Sequence, residues 1–554
     1  MLSSQSSGIC SSAHVSSQKS NQSFRTGFFQ GVRLHDLFQS MAGDSMPSVG
    51  SDCAERERQM HDTVTTMRRE AWEYRAWILN GVKDSVRSSS TSSFTTAPTG
   101  SMSCTSSNVK RKLLNAIDVM QQGLVERETE VRLLLLAAVS GEHILLIGPP
   151  GTAKSEVGRR LSKLISGSYF ERLLTRFSVP EELFGPLSMR ALEEDKYVRQ
   201  TRGYLPEAEV AFIDEIFKAN SAILNTLLTL INERLFHNGS QRVSVPLITV
   251  VGASNELPES EELDALYDRF LVRKLVKQVS SAGVSQMLSY YSGNEESSGT
   301  MSLENVARDM LVTREDIRNC KAEALRTVRV PQAVIQMLTD LRTYLQEKVE
   351  PPVYISDRRL VKAIQLLQVA AFCNGRHAVT EYDLLLLQHI LWQQPEHSER
   401  IRDWVLSQLS ADDETKQVSY LMSGLFRRAC QSLGNQEKVQ DLKNEAAGLR
   451  SVLVERYRLV ALALDGGIPA VLDNLWLGEE EAQAVATALQ PKLSKTCVAL
   501  DSILGDIATL EVVLRHSCNP VTLANLMPRH WADFIRNSDI TEAKKIGTTP
   551  LGKP

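Results

Sequence analysis

Residues 143–155 read HILLIGPPGTAKS, and this stretch restricts the possible folds more than any other in the chain. An apolar run of strand length ends at Gly148, and a loop of small residues comes next. From Lys154 onward, Val157, Leu161, Leu164 and Ile165 recur at i, i+4, i+7 and i+8, the stripe of a helix buried on one face. Strand, glycine-rich loop and helix in that order imply a parallel α/β sheet with the loop at its carboxyl edge. The loop residues Gly148, Pro149, Pro150, Gly151, Thr152, Ala153, Lys154 and Ser155 suit a phosphate group. Small residues let backbone N–H groups surround an anion, and the following helix adds the positive end of its dipole. Lys154 is expected to reach the β- and γ-phosphates of a nucleotide, and Ser155 to hold Mg²⁺. Ala153 stands where such loops have a second glycine. Its place just before the helix predicts right-handed backbone angles, which tolerate the extra methyl group; a positive φ would not.

Further signals follow downstream. VAFIDEI ends an apolar strand on Asp214 and Glu215. Carboxylates at that end of a parallel strand lie where ligands collect. Asp214 is assigned to Mg²⁺ and Glu215 to the water that attacks a γ-phosphate. LITVVGASN puts Asn255 at another strand end, where an amide can orient that water. LDALYDRFLVRK places Arg269 after a short helix, suited to reach the phosphoryl group of a neighbouring subunit, with Arg273 as its rival. YISDRRLVKAI opens a later helix, from which Arg358 is expected to project back at the nucleotide, with Arg359 as the alternative.

This series of motifs resembles that of the AAA+ ATPases, and within them the MoxR branch, RavA type. The phrases that carry the resemblance are GPPGTAKSEVGRRL, RFSVPEELFGPLS, GYLPEAEVAFIDEIFKANSAILNTLLTLINERLFHNG, ASNELP and YISDRRLVKAIQLLQVAAFCNGR, and it spans about 109–410. MoxR-type loops often carry alanine before the lysine, which implies that Ala153 is compatible with binding. The resemblance further implies that Gly148–Ser155 form the Walker A loop and Asp214-Glu215 the Walker B pair. Asn255 becomes sensor 1, Arg269 a trans arginine finger and Arg358 sensor 2. It implies ATP and Mg²⁺ as cofactors, a homo-oligomeric ring that is typically hexameric, and a protein client that the ring remodels. A von Willebrand factor A-type partner is often associated. The alternatives are a magnesium-chelatase-like ATPase subunit and a nucleotide-dependent scaffold; Glu215 speaks against the scaffold, which has no use for a water-activating carboxylate.

Composition bounds the remaining classes. A formal net charge of −4 over 554 residues gives no case for nucleic acid or for a basic membrane surface. The longest apolar runs fall well short of the roughly 20 residues a spanning helix needs, so no membrane span is expected. The cysteines are dispersed without a CxxC pair, as for reduced thiols. Residues 1–108 are serine-rich and acid-poor at the start, the first acid being Asp36, which matches a chloroplast or mitochondrial transit peptide on a disordered extension; a cytoplasmic protein with a plain tail is the alternative. No role is assigned to 51–87. The expected order is then an α/β core over 109–280, a linker over 281–301 and a helical lid over 302–410. Helices packed as a hairpin or bundle are expected over 411–520, and a tail over 521–554.

Three smaller expectations concern surfaces. Asn238-Gly239 marks a hairpin before sensor 1. Tyr204 and Leu205 precede the Walker B strand, where they would either grip a client or pack in the core. The a/d spacing of Leu442, Ala446, Leu449 and Leu453, and of Leu493, Leu500, Leu504 and Ile507, predicts two antiparallel helices whose seam Arg456 and Glu511 interrupt. Trp476 and Trp531 are expected in cores.

Overall fold

The computed structural model describes residues 51–92, 103–258, 260–292, 312–410, 412–432, 436–465, 468–516 and 520–537. The segments on which the transit-peptide expectation rests, 1–50 and 93–102, lie outside the described residues. The larger of two compact units runs from Met67 to Ser517. The smaller includes short helices at Pro520–Leu526 and Pro528–Asn537, where the half-buried Trp531 packs on Phe534 with ring centroids 5.5 Å apart.

Helices α1 (Ser51–Ser92), α2 (Ser103–Gln121) and α3 (Glu128–Ser140) precede the sheet. Strand β1 (Ile144–Ile147) leads through the loop into α4 (Lys154–Ile165) and on to β2 (Tyr169–Leu173) and β3 (Val210–Asp214). Helix α5 (Ser221–Glu233), the hairpin β4 (Leu235–Asn238) and β5 (Gln241–Ser244), then β6 (Thr249–Ser254), α6 (Glu261–Tyr267) and β7 (Val272–Leu275) complete the core. The five-stranded sheet is parallel in the order β2-β3-β6-β1-β7. Every residue of β1 and β6 is buried, as is all of β3 except Asp214, which is why these strands read as unbroken apolar runs. Gly158 brings α4 close to the sheet: a Cβ there would meet the Phe212 ring at 3.4 Å.

Helix α7 (Ser281–Tyr291) occupies what the sequence suggested was a linker. The Ser280 side chain caps it by accepting from the Gly283 N–H, a local signal that the serine-rich composition hid. The lid comprises α8 (Arg314–Thr327), α9 (Gln332–Glu347), α10 (Asp357–Cys373), a 3₁₀ stretch (Glu381–His389) and α11 (Pro395–Leu409).

Beyond the lid come α12 (Asp412–Ser432), α13 (Gln436–Leu464) and α14 (Glu479–Arg515). Helices α13 and α14 pack along their apolar seams, with Leu442, Ala446, Leu453, Leu493, Leu500, Leu504 and Ile507 all buried. The acid in the seam is partnered on one oxygen, Glu511 Oε1 accepting from Arg450 Nε at 3.0 Å, while its buried Oε2 has no hydrogen-bond partner among the described residues. Helix α1, which the sequence reading placed in a disordered extension, joins this bundle. Arg75 pairs with Asp501, and Tyr74 lies beneath Arg515, 4.5 Å from ring to guanidinium carbon. Its buried positions Met67, Ala71, Ile78 and Val82 keep helical spacing, a stripe that the polar residues between them conceal. The bundle is latched to the lid by the turn before α14. There Trp476 is fully buried with its indole N–H on the Ala370 carbonyl at 3.1 Å, and Asn374 bonds both Asn474 and the Leu475 N–H.

His143, at the entry to β1, is wholly buried. Its Nδ1 accepts from the Val250 N–H at 2.9 Å and its Nε2 lies 3.2 Å from the Ile231 carbonyl, so the ring is neutral with the proton on Nε2. Burial, reinforced by the charge of Arg234, pushes its pKa well below the ordinary value. A depressed folded-state pKa gives stability that is present above the unfolded value near 6.5 and is lost as the pH falls below it, by at most about 1.4 kcal/mol per pH unit. Denaturant titrations at pH 7 and pH 5 are expected to show a smaller drop for His143→Gln than for the wild type; equal drops would assign the pH dependence elsewhere.

Candidate functional site

The register of the sheet assembles the site. Ile147, the last residue of β1, lies opposite Ser254, the last of β6, and Ile213 of β3 lies opposite Gly252. Gly148, Asp214, Glu215 and Asn255 therefore all emerge at the carboxyl edge of neighbouring strands. The Gly148 N–H donates to the Ser254 carbonyl at 3.0 Å. A Cβ on Gly148 would lie 2.2 Å from the Val276 carbonyl oxygen, so only glycine allows the loop to leave the strand here. Gly151, at φ +78°, has no atom within 4 Å of where its Cβ would be, which leaves that side of the loop open.

Ala153 departs from the sequence expectation. Its angles are φ +63° and ψ +22°, the left-handed region rather than the right-handed one. The loop must reverse direction before α4 begins, and that demand overrides the steric preference of a residue with a Cβ, at a cost on the order of 1 kcal/mol.

Lys154 is buried, and its Nζ donates to the carbonyls of Gly148 and Pro149 at 2.8 and 2.9 Å. Burial lowers its pKa, while the charges of Asp214 and Glu215 oppose that shift, so the ammonium and both carboxylates share one electrostatic site. Asp214 Oδ1 accepts from the Glu215 N–H at 3.0 Å, leaving the carboxylate's other oxygen for a cation. Glu215 is also left-handed, at φ +51°. Its carboxylate is held on one side by Asn255 Nδ2 at 2.5 Å and on the other by Lys218 Nζ at 3.3 Å. A cavity of about 360 Å³ opens beside it, lined by Arg176, Lys218, Asn220, Ser254 and Glu256 among others. An open loop of small residues, an ammonium, a hydroxyl on Ser155 and an acid with a spare oxygen form a donor set that fits a magnesium-bound triphosphate.

The arginines lie elsewhere. The Val272 N–H bonds the His143 carbonyl, so β7 begins at the sheet's amino edge, and Arg269 sits in the corner just before it. At about 3.3 Å per residue, β7 alone separates that corner from the loop by roughly 10 Å. Arg358 is at the same edge: its Nη2 pairs with Asp268 and its Nη1 reaches Asn232 at 3.4 Å, near the far end of α5. Lys362, one turn further on, bonds Glu142 just ahead of β1 at 2.6 Å. The expectation that Arg358 points back at its own loop is therefore corrected: bonds from the start of α10 to Asp268, Phe270 and Leu271 hold it at the opposite edge. Asp268 draws the group together, with Ser356 Oγ at 3.3 Å and Arg359 and Arg269 at 3.5 and 3.9 Å. The rivals are structural. Arg359 is buried and spends its guanidinium on the carbonyls of Ile390, Phe270 and Leu271. Arg273 bonds those of Phe270, Trp392 and Tyr267, and burial lowers its pKa to about 10. Arg269 keeps a buried Nε that bonds nothing among the described residues.

The surface expectations divide. Leu205 is fully buried, so the core reading holds for it, whereas Tyr204 is half-buried beside Gly185. Among the exposed aromatics is Phe177, 91% accessible in the loop after β2. The hairpin exists, but its turn is Gly239-Ser240, one residue later than expected. Asn238 is kept in the strand by a clamp on the Arg199 backbone, accepting from its N–H at 2.6 Å and donating to its carbonyl at 3.1 Å.

Comparison with known proteins agrees with this geometry. Residues 111–314 match the family model described as the MoxR domain in the MoxR-vWA-beta-propeller ternary systems, and 333–405 match an AAA lid domain. Uncharacterized protein MJ0079 of Methanocaldococcus jannaschii is 40% identical over 288 residues, 52% of this chain and 71% of that protein. MJ0812 of the same organism is 41% identical over 274 residues, 49% of this chain and 69% of the relative. Protein MoxR of Paracoccus denitrificans is 28% identical over 148 residues, 26% of this chain and 43% of that one. The chain belongs to the MoxR-type AAA+ ATPases.

Gly148→Ala tests the loop's dependence on close approach. The added methyl collides with the Val276 carbonyl, so nucleotide binding, measured by calorimetric titration with Mg-ATP, is expected to weaken at least about tenfold. Unchanged affinity would show that the loop can shift to make room.

Proposed function

We propose that this protein is a ring-forming ATPase that hydrolyses ATP with magnesium and uses the cycle to remodel a protein client. The observation that carries the reading is the division of the machinery. Lys154, Glu215 and Asn255 stand at the carboxyl edge of the sheet, and Arg269 and Arg358 at the amino edge. A single chain cannot close the site on itself, whereas a second copy set edge to edge brings the arginines to it.

The residues then divide the labour. The Lys154 ammonium exchanges the loop's carbonyls for β- and γ-phosphate oxygens. Ser155 and Asp214 would hold a magnesium ion, which would supply neutralisation of the phosphate charge. Glu215, steadied by Asn255, accepts a proton from the attacking water and orients it. Arg269 of the adjoining copy, with Arg358 beside it, meets the charge that develops on the transferring group. Asp268 staples that pair to the start of α10, so a change in lid angle moves the arginines with it. Six copies per ring and a RavA-like, chaperone-type role follow the family resemblance. A von Willebrand factor A-type partner is supported by the systems after which the matching family model is described.

Glu215→Gln is expected to keep ATP affinity within about threefold and to lower kcat by 10²-fold or more, the usual range for loss of a general base. Single-turnover hydrolysis at wild-type speed would remove Glu215 from that role. Arg269→Ala is expected to depress turnover of the assembled protein while leaving ATP binding intact. Mixing it with Lys154→Ala subunits should recover part of the activity, because some boundaries then pair an intact loop with an intact arginine. Absence of any recovery in subunits shown to co-assemble would place Arg269 outside the neighbour's site.

A further inference from the structure

We infer that Arg127 is the positioning residue for the phosphate loop, holding the Thr152–Ala153 peptide in an orientation that Ala153 would not adopt unaided. This rests on the nucleotide reading above and adds a residue to it. Arg127 lies at the entry to α3 and is 5% exposed. Its Nε donates to the Thr152 carbonyl at 3.1 Å, its Nη2 to the Lys277 carbonyl at 2.9 Å and its Nη1 to the Glu126 carbonyl at 2.6 Å. The nearby Glu126 carboxylate is engaged by Ser280, accepting from its N–H at 2.8 Å and from its hydroxyl. The guanidinium fork is thus spent on backbone, one branch on the loop and one on the segment leaving β7.

The consequence follows from peptide geometry. A trans peptide is planar with its C=O and N–H pointing in opposite directions. Anchoring the Thr152 oxygen on Arg127 therefore turns the Ala153 N–H away from Arg127 and, with α4 set on the other side, restrains the torsion about the Ala153 N–Cα bond. That torsion is the one found at φ +63°. Relaxing Ala153 to the right-handed region, which a residue with a Cβ prefers, would rotate this peptide and misdirect an amide that the phosphate cradle uses. With glycine at the position the left-handed region would carry no penalty and the anchor would matter less. Arg127 thus compensates for the alanine that replaces the loop's second glycine. Lysine cannot substitute fully, since a single ammonium lacks the planar fork that spans two carbonyls.

The test is a double-mutant cycle on binding of a fluorescent ATP analogue with Mg²⁺, comparing wild type, Arg127→Met, Ala153→Gly and the double variant, with Arg127→Lys as a milder probe. Arg127→Met is expected to weaken binding about tenfold or more, and Arg127→Lys by less. In the Ala153→Gly background the same Arg127→Met change is expected to cost less than about a third of that factor. A purely structural role for Arg127 would lower the melting temperature but leave its effect on affinity equal in the two backgrounds, and that equality overturns the inference. So does wild-type affinity in Arg127→Met. If Arg127→Met does not fold, as judged by circular dichroism, the Arg127→Lys pair of measurements decides on the same criterion. A wild-type protein that fails to bind the analogue at all would instead overturn the nucleotide reading and, with it, this inference.

Discussion

The hydrogen bond from the Gly148 N–H to the Ser254 carbonyl joins the two strands that everything else depends on. It sets the end of β1 level with the end of β6, and β6 in turn sets the level of β3. Because the strands are parallel, one register choice brings a phosphate loop, two carboxylates and an amide to a single edge. A one-residue slip would send every side chain of the strand to the opposite face and break the site along with the core. Burial of β1 and β6 on both faces makes such a slip costly, so the stability of the sheet and the geometry of the site have a common origin.

The same sheet also separates the phosphate loop from an arginine cluster. The amino edge carries Arg269 and Arg358 around Asp268, where one carboxylate faces three guanidiniums counting Arg359. Burial works against the Asp268 charge, yet Arg359 and Arg358 hold its pKa below the ordinary value, so it stays ionised and the cluster retains an excess of positive charge. Burial lowers the pKa of Arg269, with the Arg358 charge adding to the shift. Unlike Arg273 and Arg359, whose donors are spent on backbone carbonyls, Arg269 remains available for an anion supplied from outside the chain.

Strain is stored close to the chemistry. Ala153 and Glu215 both lie in the left-handed region, at φ +63° and +51°. Each follows a strand of the sheet and each reverses the chain beside the nucleotide pocket. The hydrogen bonds that hold them, from Arg127 on one side and Asn255 on the other, are long-range contacts. A structure that keeps such torsions must over-determine them through neighbours, which links the α3 entry and the β6 end to the shape of the loop.

Local sequence determined a good deal. The apolar runs of β1, β3 and β6 announced a covered parallel sheet, because strands buried on both faces have no polar positions to alternate. The motifs placed Asp214, Glu215 and Asn255 at strand ends, since each lies at the boundary between an apolar run and a loop, and Lys154 at the start of the helix after the glycine-rich loop. The seams of α13 and α14 were visible in their spacing. Tertiary structure alone decided the rest. The left-handed turn at Ala153 comes from closing the loop onto α4, and the place of Arg358 comes from the start of α10 docking on the turn before β7; neither is encoded within a few residues. Helix α1 finds its partners about 430 residues away, at Asp501 and Arg515. Arg127 looked like any charged residue before a helix, and only the fold brings Thr152 and Lys277 within its reach. Spacing along the chain reports which side chains share a face, whereas the orientation of a peptide or the direction of a guanidinium depends on groups that become neighbours only when the chain has packed.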